Sequence, residues 1–584
     1  MVPFNRIFIA LVVFIMACSP SPKREASQTS EWQQRLLEAF WERYPEWAST
    51  VGYHKADSSL VVYSEESREA EHRFIKLWLD TLQSLDTADW TVAERIDRRM
   101  ALLQLQAAQF YLTKLKAWEW NPAHYNLAAT VAEIAAGTWQ TPEERLRSIE
   151  KRLSKAPDYF LAARNNLKDP VPEYLELGIE QNQASLETLN QDIPNAIKAS
   201  NLDASVKARM LERCNLAAVE QTNYVAFLKQ FRGKKGRSFR LGKSDYQQKF
   251  MLEMAIGYTP DDLLAAANER KKQTLDSMAV ISKRLFPKYF PKKIPPLEKG
   301  ELTRLVLTEI SKKHCSPDSF QSSISAQIPV LENFVKEKKL VGIDPKKPLV
   351  VRKEPAYMQG VAGASISAPG PYDAYGNTYY NVGSLAGYSA EEAESYLREY
   401  NHYTLQILNI HEAIPGHYTQ LVYANKTSSI IKAIFGNNPM IEGWAVFGER
   451  LMMNSGYPSL DGTPSSDEMW LMYYKWHLRS VCNTILDIGI HCHNLSQKDA
   501  LSLLMRDAFQ EKTEAENKWR RATVSSVQLC CYFGGYHAID LLKREFEKRE
   551  GANFNLRNWN ERFLSFGSAP IPCIGEAMRG DKKN

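Results

Sequence analysis

One seven-residue stretch holds most of the groups that could activate water: His411-Glu412-Ala413-Ile414-Pro415-Gly416-His417. Two imidazoles can ligate a metal ion, and a carboxylate beside one of them can take a proton from water. The economical form of this arrangement is H-E-x-x-H on a helix, with histidines at i and i+4 facing one metal and the Glu acting as base. Here the histidines are six positions apart. At about 100° per residue, i and i+4 diverge by only about 40°, whereas i and i+6 diverge by about 240°. A regular helix through 411–417 would therefore point His411 and His417 away from each other. Pro415 removes a helix hydrogen bond and Gly416 permits unusual dihedrals, so the segment carries residues able to break the helix. The spacing predicts such a break, and with it convergence of both imidazoles and a third ligand.

That third ligand should come from another helix as a carboxylate or a histidine. Ile441-Glu442-Gly443-Trp444-Ala445 supplies Glu442, 25 residues after His417, which is enough for a turn and a returning helix. Alone, Glu442 would read as an ordinary surface acid; paired with the histidine motif it reads as a ligand. Glu449 follows seven residues later on the same face, where it could orient a ligand histidine through its other ring nitrogen.

The combination H-E-A-I-P-G-H and E-G-W-A resembles the signature of the bacterial family of domain of unknown function 885, which is similar to the gluzincin metallopeptidases and has many lipoprotein members. The likeness covers most of the mature chain and is strongest from about residue 355 onward. Arg240-Leu241-Gly242 with Tyr246, Asp487-Ile488-Gly489-Ile490-His491, Arg521, and Gln528 with Tyr532 and Gly535 match further family elements. Two departures stand out. The family Tyr after Arg521 is Ala522 here, and the family Pro-Gly before Gln528 is Ser526-Val527. The resemblance implies Zn2+ on His411, His417 and Glu442, with Glu412 as general base. It also implies a mainly α, oligopeptidase-like gluzincin fold with a deep cleft. Helical gluzincins place an oxyanion donor on a C-terminal helix, and Tyr532, Tyr536 and His537 lie in the matching region. Tyr532 fits the family motif and is expected to be catalytic. Asp487, His491 and Gln528, with Tyr536 and His537, are expected beside the ligands or the substrate. His491-Cys492-His493 is too compressed for one ion, and Arg479 reads as a structural ion pair before a substrate group.

Three functions use such a site. A peptidase and an amidase or esterase on acylated small molecules or cell-wall fragments share nearly the same chemistry. A lipid-anchored binding protein would use the cleft without turnover, but has no need for Glu412 beside a ligand histidine. The expected substrate is a peptide or a small acylated molecule. A formal net charge of +5 over 584 residues gives no reason to expect nucleic acid.

The chain start bears on location. Arg6 precedes an apolar run from Ile7 to Ala17, too short to span a bilayer and shaped like a secretory signal. Ile15-Met16-Ala17-Cys18 resembles a lipobox, which implies cleavage before Cys18 and a lipidated thiol as the membrane anchor. Ser19 then suits a bacterial outer membrane, facing the periplasm. The remaining seven cysteines are odd in number and irregularly spaced, so no disulfide framework is expected.

The elements that must position these groups read as mostly helical. Trp32, Leu36, Leu37, Phe40 and Trp41 follow one helical face. Thr141-Pro142, Thr259-Pro260 and Ser389 with Glu392 are helix starts. Pro348 to Arg352 and Thr378 to Val382 read as strands, the second a candidate edge strand for an extended peptide at Tyr379, Tyr380 and Asn381. The expected organisation is a signal (1–17), a lipidated tether (18–30), an N-terminal helical half (31–290) and a catalytic half (291–584), divided at the proline-rich stretch 287–296.

Overall fold

The computed structural model describes residues 30–344, 349–354, 364–373, 377–458 and 465–580. The signal, Cys18 and nearly all of the tether lie outside the described residues. Helices start where capping chemistry predicts. Thr141, Thr259 and Ser389 each cap a helix and close a capping box with the acid three residues on. Gln33, Leu36, Leu37, Phe40 and Trp41 form the buried stripe of the first described helix, Glu31–Arg43.

The main hydrophobic core draws on both ends of the chain. Leu36, Phe40, Trp78 and Met100 share it with Phe250, Met278 and Leu285, and with Ile407, Trp444, Leu478 and Phe563. The Pro260–Tyr289 helix packs along the Asp467–His493 helix, its largest helical partner. It continues through Pro287, and the remaining prolines of that stretch fall in the connection to the Lys299–Ser311 helix. Residues between Tyr125 and Leu228 form a separate core of their own.

Three short strands precede the 411–417 motif: β1 (Leu349–Lys353), β2 (Ala364–Ser367) and β3 (Thr378–Val382). β3 lies in the middle, parallel to β1 and antiparallel to β2. This corrects the expectation of an edge strand at Tyr379-Tyr380-Asn381, because both sides of β3 are already paired. Its task is packing. Tyr380 is fully buried and its hydroxyl donates to Asn409 Oδ1 (2.8 Å), tying the sheet to the helix that carries His411. The seven described cysteines are all free. Among the described residues, no helix is long and apolar enough to cross a membrane.

Candidate metal centre

The His402–Glu412 helix stops at Glu412, and a new helix, His417–Ala424, begins at the second histidine. Between them Ala413 (φ −107°, ψ −90°) and Gly416 (φ −72°, ψ −132°) leave helical geometry. Gly416 N donates to Ile410 O at 3.0 Å, folding the chain back onto the preceding turn. A Cβ at Gly416 would stand 1.8 Å from His411 O, so no other residue fits. Trp444 Nε1 donates to Pro415 O (2.8 Å) and anchors the break to the Asn438–Asn454 helix. The two imidazoles end 4.7 Å apart between ring centroids, at 88° to each other. The helix is broken where the six-residue spacing requires it.

Glu442 comes from the Asn438–Asn454 helix. Its Oε2 lies 3.3 Å from His417 Nε2 and 3.6 Å from His411 Nε2. One ligand atom from each of the three residues lies within 4.8 Å of the others. Ligands about 2.1 Å from a shared tetrahedral centre stand roughly 3.4 Å apart, so this spacing fits one ion. Glu442 Oε2 is buried and accepts no hydrogen bond. A buried carboxylate oxygen without a donor is costly unless a cation satisfies it. Two imidazole nitrogens and one carboxylate oxygen are also the donor set that suits zinc.

Behind the ligands, His411 Nδ1 donates to Glu449 Oε1 at 2.7 Å, and Trp476 Nε1 donates to the same oxygen at 3.0 Å. Glu449 is fully buried. With Nδ1 committed there, Nε2 is the ring nitrogen that faces Glu442 and His417. In the protein without metal, burial alone would lower His411, but the carboxylates of Glu442 and Glu449 outweigh it and hold the imidazole up at about 10. Burial would raise Glu442, yet contact with both histidines holds it well below the usual carboxylate range. Glu412, the last residue of its helix, is raised by burial despite the nearby histidines. It makes no hydrogen bond among the described residues, which leaves its carboxylate available.

Tyr532 lies on the facing Cys531–Glu550 helix, its ring centroid 6.5 Å from that of His411. Its hydroxyl oxygen accepts from Gln528 Nε2 (3.2 Å) and Arg521 Nη2 (3.3 Å). Both acceptor positions are thereby used, and the hydroxyl proton is left to donate elsewhere. Burial and Glu442 push the phenol up to about 12, so it stays protonated. The two helices meet backbone to backbone: a Cβ at Gly443 would lie 2.4 Å from Gly535 C, and one at Gly535 would lie 1.8 Å from Pro439 O.

Asp487 and His491 stand behind this wall. Asp487 accepts from Tyr246 OH (2.8 Å), Val527 N (2.9 Å) and Leu529 N (3.2 Å). His491 Nε2 donates to Ser525 O at 3.0 Å. Both grip the turn that leads to Tyr532. Val527 occupies that turn at φ +70°, strained for a β-branched side chain and a position where the family Gly would be at ease. Tyr536 accepts from Arg270 (3.1 Å), and His537 sits between the rings of Tyr258 and Phe533. Neither belongs to the cluster of His411, His417 and Glu442. Arg479 pairs with Glu514 at 2.7 Å, as a structural ion pair should. Trp476 went unnoticed in the sequence; its only signal is that it lies on a helix rich in site candidates.

A cavity of about 710 Å³ lies between residues of the two halves, with Trp118, Trp120, Tyr174, Phe239 and Gln528 in its wall. Gln528 thus joins this space to Tyr532.

The model of the family described as bacterial protein of unknown function (DUF885) matches residues 45–578. No curated protein matches the chain. A solved structure from Shewanella oneidensis, described as a lipoprotein of unknown function, is 41% identical, covers 94% of this chain and 99% of its own, and superposes with a TM-score of 0.85. A second, described as a lipoprotein from Colwellia psychrerythraea, shares the fold at 15% identity, 94% and 99% coverage and a TM-score of 0.76. The chain belongs to the DUF885 family of bacterial proteins of unknown function.

Proposed function

We propose that this protein is a zinc-dependent hydrolase of the bacterial cell envelope that cleaves peptides. The observation that carries the reading is the convergence of His411, His417 and Glu442 on one point, with Glu412 beside the first of them. These three residues would hold the ion, and zinc bound there supplies Lewis acidity toward a carbonyl oxygen and toward water. Glu412 takes the proton of the attacking water and returns it to the departing amine. Tyr532, its oxygen already supplied with two donors, gives its own proton as a hydrogen bond to the carbonyl oxygen as charge develops there. Glu449 and Trp476 fix the His411 ring. The cavity beside Gln528 offers room near Tyr532, with Trp118, Trp120, Tyr174 and Phe239 among its wall residues and His411, Glu412, His417 and Glu442 not among them. A helical fold with a small sheet packed on the motif helix supports a gluzincin-like relationship.

The same reading places the chain on a membrane through a lipidated Cys18. The Ile15-Met16-Ala17-Cys18 run and the lipoprotein descriptions of the two similar structures support it. Loss of membrane-fraction protein in Cys18→Ser is the expected readout, and an unchanged distribution would overturn it.

The purified protein should hold about one zinc per chain. Glu412→Gln should keep that zinc and lose about 10²–10⁴-fold in cleavage of a peptide library. Absence of zinc even after it is offered, or equal cleavage by both proteins, would sink the assignment. Turnover confined to acylated small molecules would keep the site and move the substrate to amides or esters.

A further inference from the structure

Arg521 is the odd cation of this region. Its neighbours in sequence and space are paired: Arg520 with Glu180, Arg479 with Glu514 at 2.7 Å, and Lys475 with Glu399 at 2.7 Å. Arg521 is exposed and has no ion pair among the described residues. Among the described residues its partners are neutral: Gln528 Oε1 at 2.8 Å and the Tyr532 hydroxyl at 3.3 Å. Both bonds use Nη2, and a guanidinium has five N–H groups, so Nε and Nη1 keep their donors. Arg479 and Lys518, by contrast, share the carboxylate of Glu514. Lys518 is 4% exposed, and burial, reinforced by Arg479, holds it down to about 7. An exposed guanidinium with free N–H donors and no ion pair can take an anion without first giving up a partner. Both forks of a guanidinium include Nη2, so a carboxylate here takes a charge-assisted bond from Nη1 or from Nε singly.

We propose that Arg521 receives a carboxylate of the substrate, next to the bond being cleaved, so that the enzyme selects peptides or acylated amino acids with a free carboxylate at that position. This rests on the hydrolase reading for the word substrate, but the binding claim does not. The Tyr532 hydroxyl that faces the reacting carbonyl is held by the same guanidinium. A carboxylate oxygen accepting from Nη1 would therefore register the scissile bond against Tyr532 without displacing the Nη2 bonds to Gln528 and to the Tyr532 hydroxyl. Two sources share this chemistry: a terminal carboxylate and an acidic side chain.

The test is a binding titration of N-benzoylglycine, its amide, and N-benzoylglutamate with the α-carboxylate blocked as the amide. Each is titrated into wild type, Arg521→Gln and Arg521→Lys, with zinc present and after chelation. Charge-assisted hydrogen bonds predict a roughly tenfold to hundredfold preference for a carboxylate over the amide in wild type. That preference should persist in the chelated protein, vanish in Arg521→Gln and return in part in Arg521→Lys. Preference for the first probe assigns a terminal carboxylate, and preference for the third an acidic side chain. An equal preference in Arg521→Gln, a preference lost with the metal, or no measurable binding of either carboxylate by wild type would overturn the proposal. Where turnover is measurable, KM for a free-acid substrate should rise in Arg521→Gln while KM for its amide stays put. Carboxylate binding that needs Arg521 in a protein without turnover would uphold this inference and count against the hydrolase reading alone.

Discussion

At the scale of single residues, the site is organised by what each polar atom has already committed. His411 commits Nδ1 to Glu449, which leaves Nε2 to face Glu442 and His417. Tyr532 commits its oxygen to Arg521 and Gln528, which leaves its proton. Glu442 Oε2 is buried against the two imidazoles, at 3.3 Å and 3.6 Å, but accepts no hydrogen bond. The first of these commitments has a measurable consequence. Glu449→Gln leaves the shape intact but removes the charge that selects the Nδ1–H tautomer, and Glu449→Ala also frees the ring and strands Trp476 Nε1. Partners of this kind typically contribute about 10–100-fold to metal affinity. Zinc affinity measured by competition with a chelator should therefore fall about tenfold or more in Glu449→Ala and by less in Glu449→Gln. Equal affinity in all three proteins would mean that something other than Glu449 orients His411.

At the scale of elements, the arrangement depends on helices that break or touch at glycine. Gly443 and Gly535 allow the Glu442 helix and the Tyr532 helix to approach backbone to backbone. Gly443→Ala would push a Cβ to 2.4 Å from Gly535 C, where no flexible side chain can yield. Overpacking of this kind costs about 1–3 kcal/mol, and here it must also separate Glu442 from Tyr532. The expected result is a lower denaturant midpoint together with weaker zinc binding, whereas a surface Gly→Ala at Gly387, with open space around it, should change neither. Wild-type stability and zinc affinity in Gly443→Ala would show that the helices have slack. The glycines also mark how far the sequence was legible. The His411–His417 spacing with Pro415-Gly416 announced a helix break, because period and backbone chemistry are local properties. The capping boxes at Thr141, Thr259 and Ser389 were legible for the same reason. The order of the strands was not: β3 is central only because β1, 29 positions away in parallel register, and β2, antiparallel to it, both choose it as partner. Nor was the service of Asp487 and His491 to the 525–529 turn legible, since it depends on where two distant segments meet. Val527 at φ +70° is a third such case. Its strain is held by the Asp487 bond to its own amide, which no local rule reveals.

At the scale of the molecule, the division at the proline-rich stretch 287–296 can be tested as a physical claim. A boundary between independent units should have few core contacts crossing it. Here the Pro260–Tyr289 helix, before the stretch, packs along the Asp467–His493 helix, after it. Trp476, which holds Glu449, and Asp487, which holds the turn before Tyr532, both stand on that second helix. Phe40, Met100 and Phe250 share one core with Trp444 and Phe563, so removal of the N-terminal half would expose apolar surface around the metal centre itself. By contrast, the core between Tyr125 and Leu228 is separate from that one, joined from outside by Leu60, Val62, Tyr63 and Trp118, and is the better candidate for a unit that opens separately. A fragment beginning at residue 291 should therefore lack a cooperative unfolding transition and bind zinc far more weakly than the full chain, read by circular dichroism and chelator competition. Hydrogen exchange on the full chain should find amides of the 125–228 core exchanging at a lower opening free energy than those of the Asp467–His493 helix. A stable fragment from 291 with wild-type zinc affinity would instead make the catalytic half a domain in its own right, and the packing of the Pro260–Tyr289 helix on it an interface rather than a core.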